Sequence, residues 1–403
     1  MNIVSLAVKG LQHKPLHTTL SILATIMGVA MLTAVFLISG GISDGLKRNS
    51  GGIDVVAGAK GSPLQLILSS VYHTDVPIGN IDISDFDNIK RNPMVRQAIP
   101  IVVGDNFKGW RVVGTTPEFL NLYQAKFAEG NVFAQPFEVV AGANTTVKMG
   151  EEFAARHGFA ADSDDVHDAH LYKVVGRLAP TGTVVDRLLL TPYVSVQQLH
   201  SHLDEDEKHN HDEAEEELAI AHQVTAILIK AKNGAGVMNL PRMINHNERM
   251  QAANPGYELA RLSKSFGVGR DVLNALGLSI LVLSVLMLFS TLASSLTERR
   301  HDMAVLRVLG ASPAKLFATL MTEGLLVAGC GALIGIAAGH ILAYSLTGLL
   351  GSFEGIIVRG DFLTLHAFDV VLFVIGCGAG ILAALPAAIS AARTDIARLL
   401  VKG

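Results

Sequence analysis

The segment LTERRHDMAVLRVLGASPAKLFATLMTEG, residues 296–324, decides the fold of this chain. A charged stretch within it joins two long apolar runs without a long linker. Gly310 suits the position just after a helix, where a left-handed conformation closes the last turn. Ser312 and Pro313 suit the cap and the first position of the next helix. We therefore predict a tightly capped helical hairpin between two membrane-spanning helices.

The apolar runs on either side of this hairpin belong to a set of four. Half of the 403 residues are hydrophobic and only 17% are charged. About 20 helical residues are enough to cross the roughly 30 Å of hydrocarbon in a bilayer. The first run is also longer than the apolar part of a secretory signal, so we expect it to be retained. The predicted spans are residues 17–40, 270–296, 317–350 and 367–390.

Basic residues predict how these spans are oriented, because short cytoplasmic loops are enriched in Lys and Arg. The loop 351–366 has a single basic residue, Arg359. We therefore expect a multi-pass protein of the bacterial inner membrane with both termini in the cytoplasm. The three basic, cytoplasmic parts are then residues 1–16, 297–316 and 391–403.

Residues 41–265 then form a large extracytoplasmic segment. It alternates strand-like β-branched runs with helix-like pieces, which predicts an α+β domain beside the four-helix membrane domain. Strands are expected at 53–58, 111–116, 138–143, 172–178 and 224–230. Helices are expected at 84–91, 151–157 and 235–251.

The N-terminal residues 1–16 predict an amphipathic helix. Such a helix can lie along the membrane surface or pack on protein, and the pattern does not separate the two. Its apolar face would comprise Ile3, Leu6, Ala7, Gly10 and Leu11.

Motifs for catalysis are absent from the sequence. No G-x-x-x-x-G-K-[ST] phosphate-binding loop occurs, so we expect no catalytic or cofactor-binding residues in this chain. Nucleic acid is not expected as a partner. Glu323 and His340 are isolated ionisable residues at opposite ends of the third span, which favours helix packing over a proton-coupled transport site.

The hairpin region instead has features of a docking element. Met303, Leu306 and Leu309 form an apolar ridge, and Arg299, Arg300 and Arg307 form a basic rim. A stiff element with exposed apolar residues favours binding to another protein.

The stretch ERRHDMAVLRVLGASPAKLF, 298–317, resembles the E-R-x-x-E-[IM]-x-x-L-[RK]-A-[LI]-G-A-[ST] pattern of MacB/FtsX-type (type VII) ABC transporter permeases, which include LolC/LolE. Further similarities follow in order along the chain, at 5–32, 323–342 and 385–400. The outer PTGTVVDRLLL, 180–190, resembles the periplasmic core domain of this family. Asp302 and Val308 depart from the usual Glu and Ala.

This resemblance implies a MacB-like periplasmic core domain and a mechanotransmission subunit. A separate ABC ATPase dimer would carry ATP and Mg²⁺, and a second permease chain, identical or paralogous, would complete the complex. A periplasmic adaptor or substrate protein is a further expected partner, as is the lipid bilayer. A pure scaffold acting on an outer enzyme shares all these features. The implied ATPase-coupling residues are Glu298, Arg299, Arg300, Met303, Leu306, Arg307 and Gly310.

An alternative of another class rests on HSHLDEDEKHNHDEAEEE, 200–217, within an insertion at 200–222. Imidazole pairs can bind zinc, which would favour a membrane-anchored metal receptor or metal-homeostasis protein. The low complexity of the stretch equally fits a solvated insertion. The candidate ligands are His200, His202, His209 and His211.

Overall fold

The structure is a computed structural model, and it describes residues 2–13, 15–158, 170–201, 222–298, 305–350 and 363–393. Contacts divide the chain into two compact units. Within the described residues, the helical unit comprises residues 2–41, 265–350 and 363–393, and the α+β unit comprises residues 42–264.

Four helices are long and apolar enough to cross a membrane, which confirms the predicted class of the helical part. They belong to a set of ten helices within the described residues. The helices are α1 (Ile3–Gln12), α2 (Pro15–Asn49), α3 (Pro63–Ser70), α4 (Ile83–Lys90), α5 (Glu118–Leu122), α6 (Tyr193–Ser201), α7 (Gly234–Ile244), α8 (Pro255–Glu298), α9 (Pro313–Leu350) and α10 (Ala367–Ala392). The apolar four are α2, α8, α9 and α10.

Helix α1 has the amphipathic face that the sequence predicts. Ala7 and Gly10 are buried, and α1 packs against α9. Val4 and Val8 on the other side are exposed. One side of this helix therefore packs on protein, and its placement along a membrane surface stays a prediction.

The strands of the α+β unit form one large mixed sheet and one small pair. The strands are β1 (Val55–Ala59), β2 (Ile81–Asp82), β3 (Val95–Phe107), β4 (Trp110–Thr115), β5 (Phe127–Gly130), β6 (Glu138–Ala141), β7 (Glu152–Phe153), β8 (Arg156–His157), β9 (Tyr172–Leu178), β10 (Leu188–Pro192), β11 (Gln223–Val224), β12 (Ala226–Ala231) and β13 (Met250–Ala253). The main order is β13-β1-β12-β3-β4-β10-β6-β9-β5. Only the pairs β10–β4 and β6–β9 are parallel among those described.

Strand β3 joins the two halves of the large sheet. Its first half pairs with β12, and from Val102 onward it pairs with β4, with a bulge between Val103 and Asp105. Side chains alternate between two apolar cores, because successive residues of a strand point to opposite faces. Val56 and Leu228 enter one core, whereas Val55 and Ile227 enter the other.

One predicted helix of this unit is wrong and another is too long, although all five predicted strands are confirmed in place within a few residues. The segment predicted as helix 151–157 forms β7 and β8. The helix predicted at 235–251 is shorter in the structure: α7 ends at Ile244, and strand β13 begins at Met250. Both errors have the same cause. Strand β7 pairs with β9, β8 pairs with β3 and β13 pairs with β1, and these hydrogen bonds to distant strands are not encoded in the local sequence pattern.

Candidate functional site

The turn between α8 and α9 has the predicted caps. Gly310 has a φ of +95°, and its N–H donates to the Arg307 carbonyl at 3.1 Å. The Ala311 N–H donates to the Leu306 carbonyl at 2.9 Å, which completes a Schellman motif. Ser312 Oγ accepts the Lys315 N–H at 3.2 Å, and α9 begins at Pro313. The turn is therefore fixed by backbone hydrogen bonds on both sides.

The described part of this turn presents apolar side chains. Leu309 is 77% exposed and Val308 is 63% exposed, and Val305 on the same short helical turn is also exposed. Leu306 and Arg307, both predicted docking residues, are half-buried. The exposed apolar surface therefore centres on Val305, Val308 and Leu309. Of these three, Val305 and Val308 were not predicted to be part of the apolar ridge.

The other predicted coupling residues are less fully described. Glu298 is the last residue of α8. Arg299, Arg300 and Met303 lie outside the described residues. The role of all seven residues in binding an ATPase stays a prediction.

Helix α2 packs closely on α9 through three glycines spaced four apart. A Cβ at Gly331, Gly335 or Gly339 would lie 3.3, 3.0 or 2.8 Å from a backbone carbonyl oxygen of α2. Any larger side chain would push the two helices apart. Small residues at such spacing are typical of membrane helix interfaces, where backbones approach closely.

Hydroxyl groups join α2 to α8. Thr25 Oγ1 and Ser284 Oγ lie 2.5 Å apart, and Ser21 Oγ and Thr291 Oγ1 lie 3.4 Å apart. Both pairs are buried between apolar helices, where hydroxyls find few other partners. Helix α2 is thus held by α9 on one side and by α8 on another.

The end of α2 lies in the α+β unit, where three hydrogen bonds hold it. The Leu46 carbonyl accepts the Tyr72 hydroxyl at 3.0 Å, and the Asn49 carbonyl accepts the Tyr123 hydroxyl at 3.2 Å. Asn49 Oδ1 accepts the Val184 N–H at 2.8 Å. We call these three bonds the α2 latch. Burial raises the pKa of both tyrosines above their usual range, so both hydroxyls stay protonated donors.

The stretch PTGTVVDRLLL supplies one side of this latch. Asp186 is buried and accepts the Thr181 N–H at 2.8 Å and the Gly182 N–H at 2.8 Å. These bonds fix the loop before the 3₁₀ turn Val184–Arg187, whose first N–H donates to Asn49. The role of Asn49 was not predicted, because no local pattern in the sequence pairs residues 49 and 184.

The α+β unit also contains an open cavity of about 290 Å³. Val76, Pro77, Val102 and Val196 supply apolar walls, and His157 lies at the lining. A cavity of this volume and composition can accommodate a short apolar group.

The predicted metal ligands of the insertion are not brought together by any described contact. His202, His209 and His211 lie outside the described residues, and His200 is the penultimate residue of α6.

Among the described residues, one group of three has metal-ligand atoms close together: His340, His366 and Asp369. His340 was predicted to be isolated, which is wrong, since its Nε2 lies 3.1 Å from Asp369 Oδ2. Glu323 is buried in the helical unit.

Two family models match the chain. The MacB-like periplasmic core domain matches residues 18–240, more than half of the chain, and the FtsX-like permease C-terminal model matches residues 274–395. An uncharacterized ABC transporter permease protein of Mycobacterium tuberculosis is 32% identical over 184 residues, covering 44% of this chain and 20% of that protein. The lipoprotein-releasing system transmembrane protein LolC of Xylella fastidiosa is 31% identical over 97 residues, covering 24% of each. The matched regions thus span about a quarter or less of these relatives.

Two solved structures also match. The periplasmic region of MacB from Actinobacillus actinomycetemcomitans has a TM-score of 0.32 and 12% identity, covering 52% of this chain and 94% of that one. The extracellular domain of the noncanonic ABC-type transporter YknZ from Gram-positive bacteria has a TM-score of 0.30 and 10% identity, covering 50% of this chain and 99% of that one.

On its two family-model matches, the chain belongs to the ABC transporter permeases of the MacB, FtsX and LolC type.

Proposed function

We propose that this permease chain transmits the state of a separate ATPase dimer to its α+β unit, without itself binding nucleotide. The observation that carries the proposal is the capped turn at 305–316, which presents Val305, Val308 and Leu309. Exposed apolar side chains on a rigid turn are suited to docking in a groove of another protein. In this proposal the turn and both termini lie in the cytoplasm of a bacterial cell, at the inner membrane.

Movement at this turn would reach α9, which begins there at Pro313, and α8, which ends shortly before the turn at Glu298. Helix α2 would follow, since its small-residue contacts with α9 and its hydroxyl pairs with α8 leave little room to slide. The α2 latch would then pass the displacement into the α+β unit. A second permease chain would complete the complex.

The α+β unit would act on the outer side of the membrane. A lipoprotein, a peptide or a partner protein is the class of substrate that such a unit would engage. The apolar cavity lined by Val76, Pro77 and Val196 supports an apolar group on that substrate. The substrate need not cross the bilayer in this scheme.

The test is the substitution Leu309→Glu in the full chain, co-expressed with an ABC ATPase that co-purifies with the wild-type chain. A carboxylate in an apolar groove loses hydration without gaining a partner, so we expect ATPase association to weaken at least about tenfold, or about 1.4 kcal/mol. Leu309 is preferable to the half-buried Leu306, because substitution of an exposed side chain leaves the fold intact. Co-purification and ATPase stimulation in nanodiscs measure the effect.

The matched control is Met238→Glu, which places the same charge at a 66% exposed apolar residue of α7. It should retain wild-type association. ATPase binding and stimulation by Leu309→Glu equal to the wild type would contradict the docking assignment.

A further inference from the structure

A cluster of ligating side chains joins the last third of α9 to the start of α10. His340 is on α9, His366 is the residue before α10, and Asp369 is in the first turn of α10. One ligand atom from each residue lies within 4.8 Å of the others. His340 and Asp369 are buried, and His366 is half-buried.

The Asp369 carboxylate organises this cluster. Its Oδ2 accepts the backbone N–H of His366 at 2.7 Å and lies 3.1 Å from His340 Nε2. Its Oδ1 is buried without a hydrogen-bond partner, and so is Nδ1 of His366. Buried polar atoms of native proteins are nearly always paired, so two unpaired ones at the same place point to an additional partner there, an ion or a water.

We propose that His340, His366 and Asp369 bind one divalent transition-metal ion of the zinc type. Two imidazoles and one carboxylate are the ligand types that such an ion prefers, whereas Mg²⁺ and Ca²⁺ require mainly oxygen ligands. Three protein ligands leave a fourth position for water or another donor.

The geometry needs little adjustment for such an ion. Bonds of about 2.0–2.1 Å in a tetrahedron place ligand atoms roughly 3.4 Å apart. The His340–Asp369 separation is already close to this value. His366 precedes the helix in extended backbone, with φ −104° and ψ 156°, so its side chain can move inward without disturbing α10.

The ion would act as a staple between α9 and α10. Both helices contribute apolar spans, where ionisable side chains are costly unless they serve a function or are paired. The site uses none of the histidines of the insertion at 200–222. It also does not depend on the proposed docking of an ATPase at the capped turn.

The experiment is a Co²⁺ titration of the full, metal-free chain in nanodiscs, followed by displacement with Zn²⁺. We expect one equivalent of Co²⁺ with the intense visible absorption of a tetrahedral site, displaced by Zn²⁺. The variant His366→Gln removes one ligand and preserves the His340–Asp369 hydrogen bond, so it should fold. Its affinity for Co²⁺ should fall at least tenfold. Asp369→Asn should lose the signal.

Two control variants separate this site from other histidines. His17→Gln changes an exposed histidine of α2 and should leave the titration unchanged. A chain with His200, His202, His209 and His211 all replaced by Ala should retain the tetrahedral signal. The proposal is overturned if the quadruple variant loses the signal, if His366→Gln binds as tightly as the wild type, or if no stoichiometric binding occurs. In each of these cases His340 and Asp369 form only a structural hydrogen bond.

Discussion

The two units of this protein differ in the side chains that they bury and expose. The α+β unit buries large apolar residues such as Ile99, Leu190 and Ile229 on both faces of its sheet. The helical unit buries some leucines, such as Leu288 and Leu292, but many of its helix contacts consist of glycine, alanine, serine and threonine. It exposes large residues such as Leu283 and Leu382. Lipid is as apolar as leucine, so close packing replaces the hydrophobic effect as the force between the helices.

The largest effect should follow from breaking the small-residue packing. We expect Gly335→Leu to prevent correct assembly of the helical unit, because a Cβ there would lie 2.8 Å from the Val29 side chain and 3.0 Å from the Ile26 carbonyl. The rest of the leucine side chain would have to occupy the space of α2 itself, so the cost should exceed the roughly 1–3 kcal/mol that is typical of overpacking a core. Fluorescence-detected size-exclusion chromatography after heating measures the loss.

The matched control for this packing is Gly378→Leu, whose Cβ would meet no atom within 4 Å. It should keep a monodisperse profile. Equal stability of the two variants would show that the α2–α9 contact is not tightly packed.

The next effect concerns a buried histidine of the α+β unit. Burial and the nearby Arg111 charge lower the pKa of His73 to about 3, and both of its ring nitrogens lack a partner. In the unfolded chain this histidine has a pKa near 6.5, so it binds a proton at pH values at which His73 of the folded chain stays neutral. The free energy of unfolding should therefore fall as the pH drops below about 6.5 towards 3, by up to about 1.4 kcal/mol per pH unit.

His73→Asn should remove this pH-dependent contribution. Asparagine tolerates the left-handed backbone at this position, where φ is +51°. Thermal unfolding followed by the fluorescence of Trp110, the only tryptophan, measures it in the same unit. His246→Asn is the exposed control. An unchanged slope in His73→Asn would show that His73 is not the source.

The smallest effect should follow from weakening the α2 latch. Asn49→Ala leaves the buried Val184 N–H without its acceptor, which costs about 1–3 kcal/mol. The same Trp110 unfolding experiment should show a lower melting temperature. Asn121→Ala, at an exposed position of α5, should not. A latch variant as stable as this control would mean that water replaces the Asn49 acceptor.

Local patterns in the sequence were enough to predict several features of this protein. The apolar runs predicted the four membrane-capable helices, because crossing hydrocarbon needs only length and apolarity. Gly310, Ser312 and Pro313 predicted the capped turn, because each cap involves neighbours a few residues apart. The β-branched runs predicted five strands for the same local reason.

Tertiary structure alone decided what depends on distant residues. It made β3 the link between the two halves of the sheet and converted the predicted helix 151–157 into strands. It also brought Asn49 to Val184 and His340 to Asp369, which are separated by tens of residues or more along the chain. Partners at such separations are selected by packing and by the need to satisfy buried polar groups, and neither leaves a local pattern in the sequence.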